Sequence, residues 1–248
     1  MAWTFRNTNT KEQTANSVNV NVPTGTSEND IMIAVVSCGT FGAYPNSVPN
    51  GWISLGQAAY GSIRAELFYK IAGASETNYT WGFASSLKVK ITILSGYGGF
   101  DTADPIDIVS NTGYTVGTNN IARCASMVVS AANSVLILIG LTYSSSARSF
   151  TKPTAPADVW TEHYDGWGTT NWNCHQFCSM VWTGSGASGD IDATINESTG
   201  TKHCFGIALN PPSAPSSAIK SINGLAKASV NKINGLAIAS VKSWNGLA

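Results

Sequence analysis

Apolar and polar residues alternate with a period of two along most of the first 210 positions. Val18, Val20 and Val22 alternate with Asn19 and Asn21, and Ile63, Ala65, Leu67, Tyr69 and Ile71 alternate with Arg64, Glu66, Phe68 and Lys70. Tyr79, Trp81 and Phe83 continue the pattern, as do Val89, Ile91 and Ile93. A period of two sends successive side chains to opposite faces of a sheet, so each run predicts a strand. Two runs, 31–36 and 135–141, are apolar throughout. Such runs predict strands covered on both faces. Gly, Pro and Asn clusters separate the runs at short intervals, and no segment of this body carries a convincing 3.6-residue period. The expectation is all-β: a β-sandwich or jelly-roll-like body over residues 1–210.

The order of signals occurs twice. Asn29 and Asn133 each precede an apolar run, and each run is followed by a loop with two prolines (Pro45 and Pro49; Pro153 and Pro156) and a tryptophan strand start, Trp52 or Trp160. An alternating strand follows in each copy, then Gly-Ala-Ser (73–75; 186–188), another alternating strand and a closing apolar strand. This order predicts an internal duplication with halves 1–110 and 111–210.

Residues 211–217, rich in Pro and Ser, read as a linker. Beyond it, 218–248 repeat every 11 residues: Ser-Ile-Asn-Gly-Leu-Ala at 221–226, Lys-Ile-Asn-Gly-Leu-Ala at 232–237 and Ser-Trp-Asn-Gly-Leu-Ala at 243–248. On a helix, Ile219, Ile222, Val230, Ile233, Val241 and Trp244, with alanines between, form a stripe of eleven residues over three turns. Leu225, Leu236 and Leu247 widen it. On strands, each Asn-Gly is a two-residue hairpin turn. The stripe favours the helix, whereas Gly inside a helix costs roughly 1 kcal/mol per site. In either form the apolar face is too narrow to stand alone, so these nine residues are expected to mediate assembly.

Charge narrows the partners. The formal net charge is zero and only 11% of residues are charged, against roughly 25% in an average domain. All 14 acidic residues lie in 1–210, whereas Lys220, Lys227, Lys232 and Lys242 lie beyond it. No basic field exists for a nucleic-acid backbone, and no apolar stretch approaches the ~20 residues of a membrane helix. The N-terminal residues lack the pattern of a secretion signal.

Candidate chemistry is sparse. There is no Gly-x-Ser-x-Gly elbow, phosphate-binding glycine loop or His-Glu-x-x-His pattern. The reading is therefore non-enzymatic, without cofactor or metal. Cys174 and Cys178, four apart on a strand, are about 13 Å from each other at ~3.3 Å per residue. That is too far for a disulfide or a shared zinc. With Cys38, Cys124 and Cys204 they read as buried thiols. Glu66 reads as a cross-strand surface charge. Asp158, Glu162 and Asp165, near a loop, are the other weak candidates for a glycosidase carboxylate pair, and Asp101, Asp104 and Asp107 are weak candidates for a calcium loop. Tyr164, Trp167 and Trp172 crowd a Gly-Thr-Thr-Asn turn and are the candidate glycan contacts, because aromatic faces suit the C–H faces of a sugar.

Residues 22–34, from Val22-Pro23-Thr24-Gly25 to Met32-Ile33-Ala34, together with Pro49-Asn50-Gly51-Trp52, resemble β-sandwich modules of tailed-bacteriophage virion proteins. The Ile-Asn-Gly-Leu-Ala units resemble short C-terminal repeats of phage tail-associated proteins. The resemblance implies a structural virion component, a fibre, spike or decoration subunit assembled in the host cytoplasm. Its implied partners are copies of itself, other virion proteins and a host-surface glycan. A surface carbohydrate-binding module is the alternative.

Overall fold

A computed structural model describes residues 3–39, 44–60, 63–116, 120–155, 159–169, 173–196 and 201–213, and the backbone of 221–222, 225–226, 232–233 and 236–237. No helix occurs among the described residues.

The first half of the body contains β1 (Thr4–Asn21), β2 (Ile31–Gly39), β3 (Ile53–Tyr60), β4 (Ile63–Ile71) and β5 (Asn78–Tyr97). They form one antiparallel sheet in the order β1-β5-β2-β4-β3. The second half contains β6 (Ile106–Val116), β7 (Ile121–Cys124), β8 (Val128–Val129), β9 (Ser134–Tyr143), β10 (Phe150–Thr151), β11 (Thr161–Trp167), β12 (Asn173–Trp182), β13 (Gly186–Ala187), β14 (Ile191–Ile195) and β15 (Thr201–Leu209). Its large sheet has the order β6-β15-β9-β12-β11. The two orders match strand for strand: β2 and β9 are central, flanked by β5 and β15 on one side and by β4 and β12 on the other. The strand that opens each half, β1 or β6, lies at one edge. Because β6 is the counterpart of β1, the seam between the halves falls in 98–105. A boundary at 110/111 would cut through β6.

Each half also folds an arm over the outer face of its own sheet. In the first half the arm is the far part of β1 paired with the near part of β5. The ladder breaks between Ala15 and Ser17, and residues 17–21 then pair with 78–82. In the second half the arm is a separate sheet, β10-β14-β7. Three apolar layers result. Ile31, Ile33 and Val35 of β2 meet Val135, Ile137, Ile139 and Leu141 of β9 in the layer between the large sheets. Met32, Ala34, Val36 and Cys38 point the other way, onto Val18, Trp81 and Phe83 of the first arm. Leu136 and Leu138 likewise point onto Ala122, Ile191 and Ile195 of the second. Both faces of β2 and β9 are thus covered, which explains why their sequences are apolar without alternation. Trp52 and Trp160 hold corresponding places in the two outer layers.

The large sheets pack face to face, with edge strand β1 against β11 and β3 against β6. Exchanging the halves converts one of these contacts into the other, as an approximate twofold relation requires.

The tail, 213–248, forms a unit separate from 1–212. Its described residues pair as β16 (Ser221–Ile222) with β17 (Leu225–Ala226), and β18 (Lys232–Ile233) with β19 (Leu236–Ala237). Over these eight residues the pairs match the strand alternative; the rest of the repeats lies outside the described residues. Each pair flanks an Asn-Gly dipeptide, which is unfavourable within a helix and favoured between two short antiparallel strands.

Candidate functional site

At one end of the inter-sheet layer the apolar residues give way to polar ones. Continuing the inward-facing register of β2, β5 and β12 beyond Val35, Leu94 and Phe177 places Ser37, Thr92 and His175 together. Ser37 Oγ lies 2.6 Å from His175 Nε2, Thr92 Oγ1 lies 2.9 Å from His175 Nδ1, and Thr10 Oγ1 lies 2.9 Å from Thr92 Oγ1. Lys90 Nζ donates to the carbonyls of Gly166 and Asn173 and lies over the Tyr164 ring, 5.6 Å from its centroid. Burial, reinforced by the charge of Lys90, holds His175 neutral, with its pKa well below the ordinary value. The ring therefore donates at one nitrogen and accepts at the other, so both hydroxyls are matched. With His175 fully buried, this cluster is a polar tie between the halves.

A cleft of about 720 Å³ opens between β1, β11 and the end of β12. The Trp3 indole N–H donates to Ser179 Oγ at 3.0 Å, and His163 Nε2 lies 2.7 Å from the same oxygen. Phe5 stacks on the His163 ring at 4.3 Å. Burial lowers the His163 pKa to about 4, so at neutral pH Nε2 accepts the Ser179 proton. That spacing is the one a base needs to activate a hydroxyl. However, Ser179 is only 3% exposed, and its oxygen already accepts from Trp3. Of the carboxylate candidates, Asp158 lies outside the described residues; on β11, Glu162 accepts from Gln176 Nε2 at 2.9 Å and Asp165 from the Phe150 N–H at 3.0 Å. Sequence reasoning missed the Trp3–Ser179–His163 arrangement because Trp3, just before β1, His163 on β11 and Ser179 on β12 share no motif.

The structure separates the aromatic residues nominated for a glycan. Tyr164 packs against the inter-sheet layer, whereas Trp167 packs against the second outer layer and donates Nε1 to the Ser144 carbonyl at 3.2 Å. They lie on opposite faces of β11 and do not form one platform. Trp172 lies outside the described residues. Of the nine assembly residues, Ile222, Leu225, Ile233 and Leu236 lie in the short tail strands; Ile219, Val230, Val241, Trp244 and Leu247 lie outside the described residues.

Several other candidates find ordinary roles. Glu66 is 6% exposed and accepts from Ser54 Oγ at 2.6 Å, which corrects the surface-charge reading. Asp101 accepts from the Ala103 backbone N–H at 2.9 Å and Asp107 from that of Ser130 at 2.8 Å. All five cysteines are free and buried. Burial raises the Cys38 pKa to about 12. Burial also raises that of Asp165, to about 6, with the charge of Glu162 acting in the same direction. No cluster of three or more His, Cys, Asp or Glu suited to a metal occurs among the described residues.

A second concavity, about 600 Å³, follows the bend of β1. Asn9, Lys11 and Gln13 line it before the ladder break, and Ser17, Asn19 and Thr80 after it. A bulge re-aims side chains locally, and no sequence periodicity announces it.

No family model, curated protein or solved structure matches the chain.

Proposed function

We propose that this protein is a non-enzymatic structural subunit. In the terms of its sequence resemblance, it is a fibre, spike or decoration component of a phage virion that joins its assembly through the C-terminal repeats. The observation that carries this reading is the tail. In two of its three 11-residue repeats the described residues pair as antiparallel strands of two residues each. A hairpin of that size is not stable alone in water, yet the repeats keep Ile and Leu in fixed phase. Covering chains supply the missing burial.

The body supports the same reading. Its halves are tied by a polar cluster around the buried His175, and its three layers consist of buried apolar residues, as suits a rigid block. The Ser179–His163 pair is held by Trp3 and Phe5, so it acts as a clamp between the sheets.

Sedimentation of the full chain beside a 1–212 truncation tests the proposal. The full chain is expected to form concentration-dependent oligomers and the truncation to remain monomeric. Two monomers of the expected masses would remove the proposal's main support.

A further inference from the structure

We propose that the concavity along β1 binds a short, uncharged oligosaccharide. The site belongs to β1 and the beginning of β5, so it is independent of the tail and of the assembly reading.

Its chemistry selects the ligand. The ladder breaks between Ala15 and Ser17, and the groove is lined by Asn9, Lys11 and Gln13 before the break and by Ser17, Asn19 and Asn21 after it. The volume, about 600 Å³, falls within the ~300–1,000 Å³ of ligand pockets. Amide and hydroxyl side chains dominate the lining. Each carries both donors and acceptors, the combination that vicinal sugar hydroxyls require. Lys11 is the single ionisable residue of the lining, so the groove lacks the row of cations that a nucleic-acid backbone needs. It has no carboxylates for a divalent cation and too little apolar surface for a lipid.

One lining group is already oriented. Asn19 Nδ2 donates to Asn78 Oδ1 and to Thr80 Oγ1, both at 2.8 Å. These bonds fix which end of the amide is the oxygen and leave Oδ1 aimed away from both partners, as an acceptor for a ligand hydroxyl. An acceptor held in place before binding loses less freedom on binding.

The test uses the full chain on an array of neutral oligosaccharides built from glucose, galactose, mannose and N-acetylglucosamine, together with uncharged bacterial surface polysaccharides. Retention on at least one is expected. Asn19→Ala and Gln13→Ala should each weaken retention about tenfold; Gln13→Ala should leave the melting temperature unchanged, and Asn19→Ala, which loses two exposed hydrogen bonds, should lower it by only a few degrees. Trp167→Ala should leave it unaffected. Absence of retention on every glycan, or retention that survives both groove substitutions, would overturn the proposal. Loss with Trp167→Ala alone would place the site on β11 and overturn it equally.

Discussion

Asn29 and Asn133 hold the same backbone angle, φ +67°, at corresponding places in the two halves. Each precedes the central strand, and each donates its backbone N–H across the turn that closes the neighbouring strand. The acceptors are the Ala72 carbonyl at 2.9 Å and the Trp182 carbonyl at 2.7 Å. They are the only two non-glycine residues with positive φ among the described residues. A left-handed conformation costs an ordinary side chain roughly 1–2 kcal/mol, and Asn tolerates it better. Asn29→Ala and Asn133→Ala should therefore each destabilise the body by about 1 kcal/mol. The Gly variants should match or exceed the wild type. Urea unfolding midpoints check this. Unequal effects at the two sites would contradict the equivalence of the halves.

Trp3 depends on a glycine. A Cβ at position 96 would lie 2.2 Å from the Trp3 ring, and that ring carries the N–H donated to Ser179. Gly96→Ala should expel the indole and cost about 1–3 kcal/mol. In a Trp3→Ala background the same change should cost far less, because the clash is gone. The double-mutant cycle reads this coupling directly. Additive effects would show that the glycine serves another purpose.

Acid should loosen the body. Burial lowers the pKa of His175 well below 6.5, that of His163 to about 4 and that of His203 to about 3. Below pH ~6.5 the unfolded chain binds protons at these three sites that the native state refuses, so stability falls as pH falls. Asp165 works in the opposite sense. Its folded pKa of about 6 means that the native state takes up that proton first, so its contribution rises as pH drops from 6 towards 4. Three protons against one leave a net loss. Near pH 5, His175→Gln should roughly halve the slope of stability against pH, since the net proton difference drops from about two to about one. Urea midpoints between pH 4.5 and 7.5 provide the measurement; an unchanged slope would contradict a neutral His175.

Most of the body was legible in the sequence because burial on two faces leaves a strong mark. The apolar runs at 31–36 and 135–141 are the two central strands, and the matched order of Asn, prolines and Trp anticipated the matched strand order. The first 17 residues left no such mark. Thr10 faces Thr92 rather than an apolar layer, so β1 shows hydrophobic alternation only near its two ends, at Trp3 and Phe5 and at Val18 and Val20. Glu66 looked exposed because alternation alone does not reveal the arm that covers the outer face. His175 and Ser37 are 138 residues apart and meet only when the sheets pack. In the tail, the 3-4-4 spacing competed with Asn-Gly. The described tail residues pair on either side of Asn-Gly, as expected where a turn dipeptide acts locally and a supercoil needs a partner.

The central claim is that the tail hairpins persist only under cover from other chains. Hydrogen exchange of the full chain over a range of concentrations tests it most directly. Amides of 221–226 and 232–237 should be protected at least about tenfold at high concentration, with protection lost on dilution while β2 and β9 stay protected throughout. Exchange of those tail amides at the rate of an unstructured chain at every concentration would contradict the account.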